Sequence, residues 1–273
     1  MLVIHWENFY YKSVSEGSPR AIGNCSVDVG VEFCQTAPSN PQNMSQNPFI
    51  EATTDAATIY AENAEPRCPS LLLLDVSGSM QGEPIKQLQE GLEVYRDQLF
   101  SDGLAKKRVE VAVMTFGGKV DLVQTFATVD AFTTPKLEIM GDTPMGQAVV
   151  EGLQYLQQHK ALLRQNGVGC FRPWVFLITD GAPTDKNSHF WQEALQKVKE
   201  GEQKNSFSFF AIGVQGADMQ CLSELSPGRE PLMLQGLEFR KLFEWLSASQ
   251  QAVSRSTPGD TVKLESPAGW AQI

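Results

Sequence analysis

The sequence is short of positive charge. It contains 22 Lys and Arg residues against 32 Asp and Glu, and its formal net charge at neutral pH is −10. Nucleic acids and anionic membrane surfaces attract proteins through basic patches, which this balance disfavours. We therefore expect no nucleic-acid partner and no membrane partner, whereas a cation or a basic protein surface is compatible with the charge.

Cysteine and histidine are also scarce. The five cysteines are scattered and form no C-x-x-C pair, which argues against a disulfide framework and favours free thiols in a cytoplasmic protein. Cys68 and Cys170 each precede an apolar segment, so the two could be close in space, although a disulfide is not expected. The three histidines, His5, His159 and His189, are too far apart to form a motif, and we expect solvent or capping roles for them.

Long hydrophobic runs are absent too. No apolar stretch approaches the roughly 18 residues of a membrane span, and the first residues do not resemble a secretory signal. Residues 13–48 are rich in Ser, Gly, Pro and Asn and lack a sustained apolar period, and residues 1–65 are predicted to form an N-terminal extension that is largely irregular or disordered. Met44 opens a stretch that looks like a natural start. Residues 1–43 are therefore, by hypothesis, dispensable or the product of a mis-assigned start, and a native protein beginning at Met1 would contradict the second version.

From residue 66 the pattern becomes regular, and residues 66–256 are predicted to form one domain, followed by an aperiodic tail at 257–273. Apolar runs and alternating segments predict strands, and apolar residues at helical spacing predict helices between them. The predicted strands are 70–76, 108–118, 119–129, 172–181, 206–214 and 231–236, and the predicted helices are 83–100, 143–165, 189–203, 219–225 and 237–256. Alternating strands and helices predict an α/β fold with a doubly wound, mostly parallel sheet and helices on both faces. The Gly117–Gly118 pair predicts a tight hairpin, which makes one edge strand antiparallel.

Oxygen-bearing side chains follow two of the predicted strands. The run LLLLDVSGSM places Asp75, Ser77 and Ser79 at alternate positions after one strand, and Asp180 follows another in TDG. Between them, Thr143 stands in GDTPMG at the start of a helix, where it is a plausible N-cap before a proline. Ligands of such sheets bind at the carboxyl ends of strands, so we expect these five side chains to share one crevice.

This donor set suits a hard divalent cation. Mg²⁺ prefers oxygen ligands and usually keeps some water, so the three hydroxyls can bind it directly while Asp75 and Asp180 hold it through water. Gly78 is expected to let the loop turn tightly. The absence of Cys and His from the motif argues against zinc and copper. A cation with few direct carboxylates stays electron-poor and attracts a carboxylate from outside.

The motifs LLLLDVSGSM, GDTPMGQAV and WVFLITDGAPTD resemble the three loops of a von Willebrand factor A domain with a metal-ion-dependent adhesion site. The resemblance covers about residues 68–256. It implies a Rossmann-like fold and a bound Mg²⁺, with Mn²⁺ or Ca²⁺ as substitutes, held by Asp75, Ser77, Ser79, Thr143 and Asp180. It also implies a protein partner whose Asp or Glu completes the metal's shell, and no catalysis.

A finer resemblance links EPRCPSLLLLD and SRSTPGDTVKLESPAGW to the bacterial TerY-like and YegL-like proteins of tellurium-resistance and stress gene clusters. This subgroup implies partnership with a protein kinase and a phosphatase. Family resemblance also marks helix 237–256 as the helix expected to shift if the domain switches.

Two alternatives stay open. An apolar strand followed by an aspartate and Mg²⁺ is also how a Mg²⁺-dependent phosphohydrolase begins, but such enzymes usually carry a second acid two residues later, where this sequence has Ser77. The other alternative is a structural domain whose metal site is idle.

Overall fold

A seven-stranded sheet forms the centre of the molecule. The computed structural model describes residue 60, residues 62–260, residues 262 and 264, and residues 271–272. The strand order is β3-β2-β1-β4-β5-β6-β7. The strands are β1 (Cys68–Asp75), β2 (Val109–Gly117), β3 (Lys119–Thr128), β4 (Trp174–Thr179), β5 (Ser208–Gly213), β6 (Leu232–Leu234) and β7 (Ala271–Gln272). Strands β2, β1, β4, β5 and β6 are parallel, and β3 pairs antiparallel with β2.

Helices cover both faces of this sheet. They are α1 (Glu83–Ser101), α2 (Ala105–Arg108), α3 (Met145–Gln165), α4 (His189–Gln203), α5 (Met219–Leu225) and α6 (Phe239–Ser254), and a 3-10 turn spans Gly78–Met80. Successive side chains of a strand point to opposite faces. Leu72 and Leu74 of β1 accordingly pack in the core shared with α1 and α6, whereas Leu71 and Leu73 pack in the core shared with α3, α4 and α5. All eight residues of β1 are buried, which explains its continuous apolar run.

The predicted fold class is confirmed, including the antiparallel edge made by the hairpin after Gly117. The opposite edge holds a feature that was not predicted: β7, from the aperiodic tail, pairs antiparallel with β6. A two-residue strand has no alternation for a sequence pattern to reveal. Ala271 is buried there, and the adjacent Trp270 lies outside the described residues.

The predictions for residues 1–59 and 61 lie outside the described residues. Just before the domain, the Asn63 and Glu65 backbone carbonyls accept hydrogen bonds from the buried Arg67 guanidinium. The Glu65 carboxylate forms an ion pair with Arg108 at 2.6 Å. The last residues of the predicted extension therefore pack against the domain.

The expectation of free thiols is confirmed for the described cysteines, Cys68, Cys170 and Cys221. An isolated parallel β-bridge pairs Cys170 with Arg67, the residue before β1, so Cys170 lies next to this strand. The expectation of a solvent or capping role is wrong for His159, which is buried and lies 2.6 Å from the Glu110 carboxylate. None of the described helices has the length and apolar character needed to cross a membrane.

Candidate metal centre

The two acids lie side by side at the point where the strand order reverses. The chain leaves β1 toward β2 on one side and returns to β4 on the other, so a crevice opens between the carboxyl ends of β1 and β4. Asp75 is the last residue of β1, and Asp180 directly follows β4. Leu74 of β1 is in register with Ile178 of β4, which places the two strand ends at one level.

Hydrogen bonds join the first loop of the site, which follows β1, to the third loop, which follows β4. The Ser77 and Ser79 hydroxyls are 3.1 Å apart, and the Ser79 hydroxyl donates to Asp180 Oδ1 at 2.7 Å. The Asp75 carboxylate accepts from the Ser77 backbone N–H at 2.8 Å and from the Thr179 hydroxyl at 2.5 Å. Four of the five predicted donors are thus connected directly or through one neighbour.

Thr143 completes the set. A methyl group placed on Gly181 would lie 3.4 Å from Thr143 Oγ1 and 3.9 Å from Asp75 Oδ2, so the three residues enclose one small space. Thr143 is 6% exposed, and its backbone carbonyl accepts hydrogen bonds from Met145 and Thr184. The structure therefore brings together all five predicted site residues.

The charges of the site fit a cation. Asp75 is fully buried and Asp180 is 8% exposed, and no Lys or Arg in the described part of the chain pairs with either carboxylate. Burial raises the pKa of the Asp75 carboxyl, hydrogen bonds from Ser77 and Thr179 lower it, and the nearby Asp180 charge raises it. A divalent cation bound here would offset two carboxylates that pair with no Lys or Arg among the described residues.

The donor chemistry narrows the choice of metal. Three hydroxyls and two carboxylates are hard oxygen donors, which Mg²⁺, Mn²⁺ and Ca²⁺ accept. Among the described residues, no group of three or more His, Cys, Asp or Glu side chains is placed to hold a metal, so the hydroxyls are needed to complete any shell here. The residues present therefore fit the divalent cation that the sequence motif implies.

Two predictions about local geometry are wrong. Thr143 is not the N-cap of α3, because the helix begins at Met145 and Pro144 takes the cap position without a side-chain hydrogen bond. Gly78 is not required by its conformation: its φ is not positive, and an added methyl group would meet only Gly141 O at 3.9 Å. The Gly78 backbone N–H donates a hydrogen bond to the Gly141 carbonyl at 3.1 Å, a contact that does not depend on the residue being glycine.

Sequence reasoning missed the residue that caps α3. The Asp185 carboxylate accepts hydrogen bonds from the Gly146 and Gln147 backbone N–H groups at 3.1 and 2.8 Å. These are orphan donors of the first helical turn, where a negative charge is also favoured by the helix dipole. Asp185 therefore fastens the third loop to the helix that follows Thr143. A residue 39 positions away in the chain gives no local signal of such a cap.

Three glycines, Gly117, Gly118 and Gly141, hold the second loop in place, and this role was not predicted from the sequence. Gly118 N–H donates to the Asp142 carbonyl at 2.7 Å, and Met140 N–H donates to the Val76 carbonyl at 2.7 Å. A methyl group on Gly117 would lie 2.6 Å from Met140 O, and one on Gly141 would lie 2.9 Å from Gly118 Cα. Such close backbone approach is open only to glycine, so the β2–β3 hairpin fixes the path that leads into Thr143.

Comparisons with known proteins agree with this architecture. Residues 71–233 match the model of the von Willebrand factor type A domain. No curated protein shows significant sequence similarity to the chain. Among solved structures, the pilus adhesin SpaC of Lactobacillus rhamnosus GG in its open conformation superposes with a TM-score of 0.52 at 16% identity, over 70% of this chain and 30% of the adhesin.

Two further solved structures are of metal-loaded proteins. Manganese-loaded TRAP of Plasmodium vivax gives a TM-score of 0.45 at 20% identity, over 64% of this chain and 71% of that one. Proximal thread matrix protein 1 of the mussel byssus, with a zinc-occupied MIDAS motif, gives 0.46 at 15% identity, over 69% of this chain and 48% of that one. The chain spans about half the length of the mussel protein. Because the family model matches more than half of the residues of this chain, the chain belongs to the von Willebrand factor type A domain family.

Proposed function

We propose that this chain is a metal-dependent protein-interaction module. Asp75, Ser77, Ser79, Thr143 and Asp180 hold one divalent cation, Mg²⁺ by preference with Mn²⁺ or Ca²⁺ as substitutes. An Asp or Glu side chain of a protein partner completes the cation's shell. The observation that carries this proposal is the convergence of all five oxygen donors from three loops around two carboxylates that lack a Lys or Arg partner in the described chain.

The surroundings of the site support docking of a protein surface. Gly78 and Ser79 are exposed, as are Gly141 and Asp142, so the crevice opens directly to solvent. Met140, beside Gly141, has an exposed side chain (38%) on a backbone pinned by Val76 and Gly117. A rigid rim with an exposed apolar side chain suits contact with a partner segment that carries the metal-binding acid.

We propose binding without catalysis. Asp75 is fully buried and its carboxylate accepts hydrogen bonds from the Ser77 N–H and the Thr179 hydroxyl, so a phosphate ester in solvent does not reach it directly. Position 77, where an aspartyl-phosphate enzyme needs a second acid, holds a serine whose hydroxyl contacts Ser79. A phosphatase assay with Mg²⁺ tests this part, and turnover that is lost in Asp75→Asn would favour the phosphohydrolase alternative.

The proposal also includes a biological setting for the protein. The subgroup resemblance supports a bacterial tellurium-resistance or stress-response system, in the cytoplasm, with a protein kinase and a phosphatase as partners. Co-purification of the chain with and without chelator, from cells grown with and without tellurite, tests this setting. Recovery of the same proteins in the presence of chelator would argue against a metal-dependent partnership.

The metal site itself is tested by titrating Mg²⁺ and Mn²⁺ into the chelator-treated protein by calorimetry. Wild type should bind one ion saturably. Ser79→Ala removes one hydroxyl donor and its bond to Asp180, and it should weaken binding at least ten-fold. The matched control is Ser101→Ala, an exposed serine at the end of α1, which should bind like wild type.

The partner's acid is tested separately with immobilised peptides that carry a single Asp or the matching Asn. Metal-loaded wild type should be retained by the Asp peptides, and chelator should release it. Retention of the Ser79→Ala protein on the same peptides, or equal retention by the Asn peptides, would show that the cation does not mediate the contact.

A further inference from the structure

A basic cleft lies at the end of the sheet opposite the metal centre. It has a volume of about 500 Å³ and opens between the C-terminal halves of α3 and α4, next to residues 206 and 207 that lead into β5. These residues precede a strand, so the cleft is at the amino ends of the strands, whereas the metal centre is at their carboxyl ends. A cavity of this size falls within the range of small-molecule sites.

The charge of the cleft is opposite to that of the chain. Its lining contains four cations and one carboxylate, in a protein whose net charge is −10. The lining cations are Lys160, Arg164, Lys197 and Lys204, and the carboxylate is Glu200. Arg164 and Lys204 lie at helix C-termini, where the helix dipole already favours a cation, so these two alone would not indicate a ligand.

Lys160 distinguishes this cleft from an ordinary solvated face. It is partly buried a full turn inside α3, and its Nζ donates to the Ser206 carbonyl at 2.8 Å. Within the described part of the chain, neither Lys160 nor Arg164 pairs with a carboxylate, whereas Lys197 and Lys204 pair with Glu193 and Glu200. Burial lowers the pKa of Lys160, and the nearby Arg164 and Arg172 charges lower it further, although Cys170 acts in the opposite direction.

The floor of the cleft is apolar and tightly packed. Leu153, Leu156 and Phe207 are each less than 8% exposed. A methyl group on Gly201 would lie 2.2 Å from the Phe207 ring, so a glycine at this position lets the ring pack directly against α4. An apolar floor beneath a rim of cations is suited to a ligand with an organic body and a strongly negative group.

We propose that this cleft is a second binding site, which takes a small organic phosphate. Lys160 and Arg164 bind the phosphate oxygens, and the apolar floor packs against the organic part. A bound phosphate supplies, through charge-assisted hydrogen bonds, the negative partner that these two cations lack among the described residues. This site is independent of the proposed metal-dependent function, and its ligand does not need the cation.

The test uses the full chain in EDTA at low ionic strength, so that the metal centre does not contribute. Pyrophosphate, glucose 6-phosphate and ADP are titrated by calorimetry, with adenosine as an uncharged comparison. At least one organic phosphate should bind saturably and more tightly than pyrophosphate, and adenosine should not bind. Absence of saturable binding for all three phosphates overturns the proposal, and equal affinity for pyrophosphate overturns the role of the floor.

Variants then locate the site. Lys160→Met keeps most of the side chain but removes the charge, and Arg164→Gln changes an exposed residue; each should weaken binding about ten-fold or more. The matched controls are Lys136→Gln and Lys241→Gln, exposed lysines elsewhere on the chain, which should leave affinity unchanged. An equal loss in the controls would show non-specific charge attraction instead of a site. If Lys160→Met unfolds, Arg164→Gln still decides the matter.

Discussion

Asp75 shows how a single buried residue ties stability to metal binding. It is fully buried, it lies near a second carboxylate, and burial raises its pKa in the folded protein. A carboxyl whose pKa is higher when folded binds more protons in the folded state than in the unfolded one. The metal-free protein therefore loses stability as the pH rises from about 4 through the raised pKa.

Asp75→Asn should stabilise the metal-free protein at pH 7, because it removes a buried charge while keeping the shape of the side chain. The gain should shrink when the pH is lowered to 4, because protonation removes the buried charge of wild-type Asp75. Urea unfolding in EDTA at the two pH values measures this difference. If the variant is less stable than wild type at pH 7, the carboxylate is held by something other than an added cation.

Asp185 is a second single residue with a defined effect, because its carboxylate caps the N-terminus of α3. Asp185→Ala removes the acceptor of the Gly146 and Gln147 N–H groups and should cost about 1 kcal/mol of unfolding free energy. Because the cap also joins the third loop to the helix after Thr143, metal affinity should fall as well, and Asp185→Asn should restore part of both. Calorimetry on the three proteins checks this, and unchanged metal affinity in Asp185→Ala would limit the residue to a structural role.

At the scale of elements, the β2–β3 hairpin is part of the metal centre although it supplies no ligand. Gly117 and Gly118 pass so close to the loop at 140–142 that the loop is held by backbone hydrogen bonds and by contact. The hairpin in turn is held to β1 by the long parallel pairing of β1 with β2. The position of Thr143 is therefore set by the sheet edge as well as by its own helix.

Gly117→Ala should push the second loop away from β1, because the new methyl group would lie 2.6 Å from Met140 O and 2.8 Å from Val76. We expect a loss of roughly 1–3 kcal/mol in stability and a clear loss of metal affinity. Gly103→Ala is the matched control, since nothing lies within 4 Å of its added methyl group. Denaturant unfolding and metal titration of both variants test this. Equal stability and equal metal affinity of the two variants would show that Gly117 does not position the second loop.

At the scale of the whole molecule, the metal centre joins the two halves of the sheet. Its donors come from the end of β1, from the loops that follow β1 and β4, and from the loop that precedes α3, so an ion bound there ties together elements that are distant in sequence. A ligand that binds only the folded state stabilises it in proportion to the logarithm of its concentration.

Saturating Mg²⁺ should therefore raise the melting temperature of the wild-type protein. At 100 times the dissociation constant the gain is about 2.7 kcal/mol, which corresponds to roughly 5–10 °C for a domain of this size. EDTA should reverse the shift, and Ser79→Ala should show little of it. A melting temperature that ignores both Mg²⁺ and EDTA in wild type would contradict a metal bound by the folded state.

The metal donors and the order of the elements were open to prediction because their signals are local. Asp75, Ser77 and Ser79 stand within five residues of one another, and the strands and helices show their apolar periods within single segments. The helices at His189–Gln203 and Met219–Leu225 were predicted to the residue. Such patterns depend on how each residue faces its own element, which neighbouring residues reveal.

Contacts between distant residues were decided only by the tertiary structure. The cap on α3 comes from Asp185, 39 residues away in the chain, and the strand at Ala271 depends on an edge that β6 happens to expose. The close approach of Gly117 to Met140 and the contact of Lys160 with the Ser206 carbonyl in a basic cleft likewise arise only when separate elements meet. Sequence periodicity records whether a position is buried, but it does not record which partner buries it, and in this protein the partners fix the geometry of the metal centre.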